Sequence, residues 1–188
     1  MSPEIFRRAL SWVLYFNEQG TQGEVALTGM GEAILHPEFD RFVNQLRATH
    51  LGKITLSTNG VALTASHCQT MADNDVRLYI SLHRPEKACH AVQLAKEYGI
   101  LADVNASAAI NSFDWAGQID WPVQIKQDSI VCDYLSKGKV VILEDGQIST
   151  CCLDAHGKQI RGTVFDDPRE ALTSPGELCK SCHMAIPK

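Results

Sequence analysis

Four cysteines in the last third of the chain carry its densest chemistry. Cys132 is followed after eighteen residues by Cys151, after twenty-seven more by Cys179, and after two more by Cys182. The Cys179–Cys182 pair sets two sulfurs within reach of one metal centre, and a hairpin between Cys132 and Cys151 offers a way to bring further sulfur beside them. Four thiolates form a soft donor set that suits an iron–sulfur cluster or zinc. Cys152 adjoins Cys151 and points the other way if both lie in a strand, into the core or behind the ligands. His156 and His183 can substitute as ligands, or can be exposed turn histidines. Cys68 and Cys89 sit in helical contexts without ligand spacing and read as small buried residues.

A second set of reactive groups recurs earlier, each time just after a short apolar run. Thr28-Gly29-Met30-Gly31-Glu32 is the first, Ser57-Thr58-Asn59-Gly60 the second, Ser81-Leu82-His83 the third and Asn105-Ala106-Ser107 the fourth. Glycine lets backbone approach a ligand closely, and the Glu32 carboxylate can accept hydrogen bonds from an ammonium. A tight turn with a solvent-facing carboxylate explains the same residues equally well, and Asn59 can simply form its turn.

The elements that position these groups alternate. Ser2 and Pro3 open a helix with Ile5, Phe6, Ala9, Leu10, Val13 and Leu14 at helical spacing. Strands are predicted over 25–28, 54–58, 76–80 and 100–105. Helices are predicted from Pro37 to about Gly52, over 64–71, and from Pro85 to Gly99. Repeated strand–helix units of these lengths predict an α/β fold with a mostly parallel sheet, whose ligands bind at the carboxyl ends of the strands. The pattern breaks after Asn111. Segments 139–143 and 147–151 around Glu144-Asp145-Gly146 predict a hairpin, followed from Pro168 by a turn-rich tail. This divides the chain at 1–114 and 115–188, the second part a small hairpin-containing cysteine-rich module.

Composition narrows the classes. Of 188 residues 45% are hydrophobic, and the formal net charge is −5 with 17 scattered basic residues, which excludes an electrostatic footprint for nucleic acid. No apolar run reaches membrane-spanning length, and the first residues lack a basic leader and a continuous apolar stretch, so a cytoplasmic location is expected. Seven cysteines without a secretory signal argue for thiolates kept for metal or left free, not for a disulfide framework.

These motifs, in this order, resemble the radical S-adenosylmethionine enzymes over nearly the whole chain. Gly31-Glu32-Ala33 with Met30 ahead of it resembles the family's Gly-Glu-Pro turn, which binds the amino group of the cofactor's methionine part. Loss of the proline is expected to loosen the turn and keep its carboxylate. Ser57-Thr58-Asn59-Gly60 resembles the motif after the next strand, and Ser81 and Asn105 line the same cavity by position. Cofactor contacts are therefore expected at Gly31, Glu32, Ser57, Asn59, Ser81 and Asn105. Cys132, Gly146 with four residues between it and Cys151, and the Cys179–Cys182 pair resemble the SPASM and twitch extensions, which carry auxiliary [4Fe–4S] clusters. The chain stops six residues after Cys182, so one cluster ligated by Cys132, Cys151, Cys179 and Cys182 is expected, as in the twitch form.

The resemblance also exposes a gap. The family's radical chemistry needs a CxxxCxxC loop after the first barrel strand, and no such spacing occurs here. The expected fold is thus a partial (β/α) barrel lacking its first strand. An incomplete or late-started gene product, a short protein keeping only the auxiliary cluster, and a subunit borrowing its catalytic cluster from a partner all account for it. In an intact relative, one electron from a donor cleaves cluster-bound S-adenosylmethionine to methionine and a 5′-deoxyadenosyl radical, which abstracts hydrogen from a peptide, sugar or other small molecule. The 188 residues alone are not expected to generate that radical. A metal-stabilised binding module with structural zinc is the rival class, and an uncovered strand edge over 25–28 is expected to invite a partner strand.

Overall fold

A computed structural model describes residues 1–20, 23–29, 31–82, 85–105, 138–154, 157–170 and 177–180. The chain falls into two compact units. One is Val13–Asn111. The other joins Met1–Trp12 to the described residues from 138 onward.

In the first unit, β1 (Glu24–Leu27), β2 (Lys53–Thr58), β3 (Val76–Ser81) and β4 (Ala102–Asn105) form one sheet in the order β1-β2-β3-β4. All three pairings are parallel, in a register that sets Leu27 opposite Leu56, Leu56 opposite Leu78 and Ile80 opposite Val104. Parallel neighbours need crossovers, supplied by α2 (Phe39–Thr49), α3 (Ala65–Asp73) and α4 (Pro85–Glu97). Each helix buries one stripe: Phe39, Phe42, Val43 and Leu46 on α2, Cys68 and Met71 on α3, and Ala88, Ala91 and Ala95 on α4. The matching sheet face is Ile54, Leu56, Val76, Leu78 and Ile80, all buried. The alanines let α4 lie close. A Cβ on Gly60, whose φ is +78°, would stand 2.7 Å from the Ala91 Cβ. Among the described residues β1 pairs only with β2 and is an edge of the sheet. This is the expected partial (β/α) barrel.

The helix α1 spans Pro3–Glu18, with the Ser2 hydroxyl accepting the Ile5 N–H at 3.3 Å. Its buried stripe is Phe6, Ala9 and Trp12, narrower than the sequence pattern predicts, and Leu14 is exposed. Its last turns belong to the parallel-sheet unit, where the Asn17 amide donates to Thr49 O at 3.1 Å and its oxygen faces the buried His50 ring at 3.0 Å. Its first turns pack in the other unit, where Trp12 Nε1 donates to Val164 O at 3.1 Å.

That other unit is built on an antiparallel sheet, β5 (Val141–Ile142), β6 (Gln147–Ser149) and β7 (Ile160–Thr163), in that order. The hairpin around Gly146, at φ +86°, is the expected one. The third strand β7 is not foreseen, because Ile160-Arg161-Gly162-Thr163 lacks the alternation that marks a strand. Ile148, Leu153, Val164 and Leu178 form its small apolar core.

Two readings of individual cysteines are corrected. Cys89 is exposed and only Cys68 is buried, because the α4 stripe runs through Ala88, Ala91 and Ala95 and turns position 89 outward. Cys151 and Cys152 lie in a turn beyond the end of β6, so strand alternation does not set their directions.

Candidate functional site

At the carboxyl end of β1 the chain turns through Gly31 and Glu32 into a 3₁₀ turn, Ala33–Leu35. Ala33, which stands where the resemblance expects proline, opens that turn. The backbone closes around it, with Leu35 N donating to Glu32 O at 3.1 Å and His36 N to Ala33 O at 3.1 Å. Ile34 is buried beneath it, and the His36 ring stacks on Phe42 at 4.7 Å and accepts the Glu38 N–H at 3.1 Å. These contacts hold the segment without a proline at position 33.

The Glu32 carboxylate reaches the end of the neighbouring strand. Its Oε2 accepts the Asn59 backbone N–H at 3.1 Å. Its Oε1 is buried and has no hydrogen-bond partner among the described residues. A buried carboxylate oxygen without a donor costs about 1–3 kcal/mol, so a donor from outside, such as an ammonium, suits this position. The Asn59 side chain is used locally, its Oδ1 accepting the Val61 N–H at 2.9 Å, while Thr58 Oγ1 accepts the Gly60 N–H at 3.0 Å. Thus Asn59 meets Glu32 through its backbone.

Ser57 lies on the sheet face opposite the helices and is exposed, and Ser81, paired with Asn105, ends β3. Met30, His83 and residues 106–107 lie outside the described residues. Sequence reasoning missed what lies below these strand ends on the same face. Lys53 Nζ donates to Glu24 Oε2 at 3.1 Å and to Tyr79 Oη at 3.3 Å, and Thr55 Oγ1 donates to Glu24 Oε1 at 2.7 Å. Arg77 Nε donates to Asp103 Oδ2 at 2.9 Å and its guanidinium lies 5.7 Å from the Tyr79 ring centroid. Hydrogen bonding to Glu24 holds the Lys53 ammonium above its ordinary range, and hydrogen bonding to Asp103 does the same for Arg77. Parallel strands between helices are usually apolar on both faces. The alternation of polar residues in Lys53-Ile54-Thr55-Leu56-Ser57 and Arg77-Leu78-Tyr79-Ile80-Ser81 is the signal that one face here is polar.

In the other unit, Cys151 and Cys179 are bound into one buried polar network. Ser149, Thr150, Asp154 and Gln159 are each 4% exposed or less. Ser149 Oγ accepts the Cys151 N–H at 3.2 Å and donates to Asp154 Oδ2 at 3.2 Å. Asp154 Oδ1 accepts the Lys158 N–H and Oδ2 the Gln159 N–H, both at 2.7 Å. The Gln159 amide Nε2 lies 3.4 Å from Thr150 Oγ1 and 3.9 Å from Cys179 Sγ. Asp154 thereby ties Lys158 and Gln159 back to Ser149, and the Gln159 amide reaches from Thr150 to the Cys179 sulfur. No described cysteine is in a disulfide. Cys132, Cys182, His156 and His183 lie outside the described residues. Among the described residues no group of three or more His, Cys, Asp or Glu is placed to hold a metal. The donor chemistry fits a cluster nonetheless: Cys151 and Cys179 are only partly exposed, and the Gln159 amide nitrogen lies within hydrogen-bonding reach of the Cys179 sulfur.

No family model matches the sequence, and no curated protein matches it. Solved structures do. The chain is similar to BtrN in complex with AdoMet and 2-DOIA at 16% identity and a TM-score of 0.72, over 98% of this chain and 74% of that one. It is similar to native anSMEcpe with bound AdoMet at 15% identity and a TM-score of 0.64, over 98% and 79%. The complex of anSMEcpe with AdoMet and the Cp18Cys peptide gives 15% and 0.64, over 98% and 80%. The resemblance to radical S-adenosylmethionine enzymes read from the motifs therefore holds at the level of the fold.

Proposed function

We propose that the chain is a radical S-adenosylmethionine-type (β/α) domain joined to a SPASM- or twitch-like module that holds one auxiliary [4Fe–4S] cluster. The observation that carries this reading is the buried Glu32 Oε1, without a partner among the described residues, at a strand end of a fold shared with AdoMet-bound structures. Glu32 accepts the ammonium of the methionine part, and the Asn59 N–H fixes the carboxylate for it. Gly31 allows close approach of the backbone. Ser57, Ser81 and Asn105 line the remaining strand ends. Cys132, Cys151, Cys179 and Cys182 ligate the cluster, which supplies one-electron chemistry or substrate binding when present.

The three thiolates of a radical-generating CxxxCxxC loop are not among these 188 residues. Hydrogen abstraction at the Glu32 site therefore requires them from elsewhere, together with an electron donor. The edge of β1 that pairs with no strand among the described residues is where a further strand, from this or a partner chain, completes the sheet. No helix of the described residues is long and apolar enough to cross a membrane. Thiolates held for a cluster suit a reducing compartment, and we place the protein in the cytoplasm.

Binding of S-adenosylmethionine to the anaerobically purified chain, followed by equilibrium dialysis, tests the reading. Glu32→Gln removes the charge that pairs with the ammonium and is expected to weaken binding about tenfold or more, since hydrogen bonds to charged groups contribute about 1.5–3 kcal/mol. Equal binding by the variant and the parent protein contradicts the assignment.

A further inference from the structure

Gln159 is not among the residues the sequence marks as ligands, yet its buried side chain reaches a candidate ligand sulfur. It is 4% exposed. Its backbone N–H is tied to Asp154 Oδ2 at 2.7 Å, which fixes where its side chain starts. Its amide nitrogen carries two hydrogens and has two neighbours to receive them, Thr150 Oγ1 at 3.4 Å and Cys179 Sγ at 3.9 Å. Among the described residues Gln159 Oε1 is buried without a hydrogen-bond partner, and the amide is held through its nitrogen. The Cys179 sulfur can accept that N–H as thiol or thiolate, and accepts it more strongly as a thiolate.

Resting on the cluster reading above, we propose that Gln159 is a positioning residue for the auxiliary cluster. It donates an N–H···S hydrogen bond to the Cys179 thiolate and raises the cluster's reduction potential. The physical basis is that a donor on a ligand sulfur offsets part of the negative charge that reduction adds, so it stabilises the reduced form more than the oxidised one. Burial strengthens the effect, because water does not screen the amide dipole there. The Ser149–Asp154 network is the scaffold that holds this donor still. It orders the loop between Cys151 and Gln159, so that one ligand and the donor to another are set by the same buried carboxylate.

The test uses the full chain, purified anaerobically and reduced with dithionite. It combines pulsed EPR in H₂O and D₂O, with and without side-chain ¹⁵N-glutamine, and an EPR-monitored redox titration. The parent protein is expected to show an exchangeable proton coupled to the cluster and a glutamine ¹⁵N coupling. Gln159→Leu is expected to retain iron and sulfide, to lose both couplings and to shift the potential downward. Gln159→Glu, which puts an anion in place of the donor, is expected to shift it further down. A Gln159→Leu protein with full cluster content, unchanged couplings and unchanged potential overturns the proposal and leaves the cluster reading standing. If that variant fails to hold a cluster, the parent spectrum decides, and absence of a glutamine ¹⁵N coupling overturns the proposal. A parent protein without iron and sulfide overturns the proposal together with the cluster reading.

Discussion

The two units of this chain hold their reactive groups by opposite means. In Val13–Asn111 an apolar layer does the positioning. Ile54, Leu56, Leu78 and Ile80 are fully buried, and the parallel register they enforce delivers Glu32, Asn59 and Ser81 to one end of the sheet. In the C-terminal unit the sheet is only three short strands, and the residues around Cys151 and Cys179 are placed by buried polar groups: Ser149, Thr150, Asp154 and Gln159. A large core tolerates loose chemistry at its rim. A small one lacks the apolar area to fix a loop and relies on hydrogen bonds, each of which leaves an expensive orphan if its partner is lost.

The comparison can be broken from either side. Leu78→Ala removes a fully buried side chain from the central strand and is expected to cost about 2–5 kcal/mol, read by urea unfolding of the parallel-sheet unit. Protection of the Cys151–Gln159 loop amides in hydrogen exchange should not follow it. Asp154→Ala should do the reverse. It strips the acceptor from two backbone N–H groups and one hydroxyl, at about 1–3 kcal/mol, and should open that loop to exchange while the β2 and β3 amides keep their protection. If Asp154→Ala unfolds both units together, polar and apolar positioning are not separable. Thiol chemistry sharpens the contrast on a smaller scale. Cys89 is exposed, whereas burial pushes the Cys68 thiol up from its ordinary value, so iodoacetamide near neutral pH should modify Cys89 and spare Cys68 until the unit unfolds. The smallest effect is expected at the half-exposed Arg77–Asp103 pair, where Arg77→Ala should leave the unfolding midpoint unchanged within error.

How far the sequence could be read follows the same division. The four strands, the three crossover helices and the hairpin are legible because their patterns have long runs and clear stops: Asn59-Gly60, Gly99 and Asp145-Gly146 end elements where glycine takes positive φ at 60, 99 and 146. The Glu32 turn was legible as a motif, and its link to the Asn59 backbone was not, because a backbone donor leaves no mark on residue type. The network around Cys151 was illegible for a related reason. Ser149, Asp154 and Gln159 look like ordinary turn and surface residues, and only the fold shows that they are buried. Strand β7 was missed because glycine at 162 and arginine at 161 mask its alternation. The polar sheet face is written plainly in Lys53, Thr55, Ser57 and in Arg77, Tyr79, Ser81, against the expectation that parallel strands are apolar throughout.

The central claim is that the thiolates of Cys151 and Cys179, with those of Cys132 and Cys182, share one iron–sulfur cluster. Iron, acid-labile sulfide and zinc measured together on the anaerobically purified chain test it most directly. The account predicts about four iron and four sulfide per chain, lost in a Cys179→Ser variant. One zinc per chain with neither iron nor sulfide would contradict it.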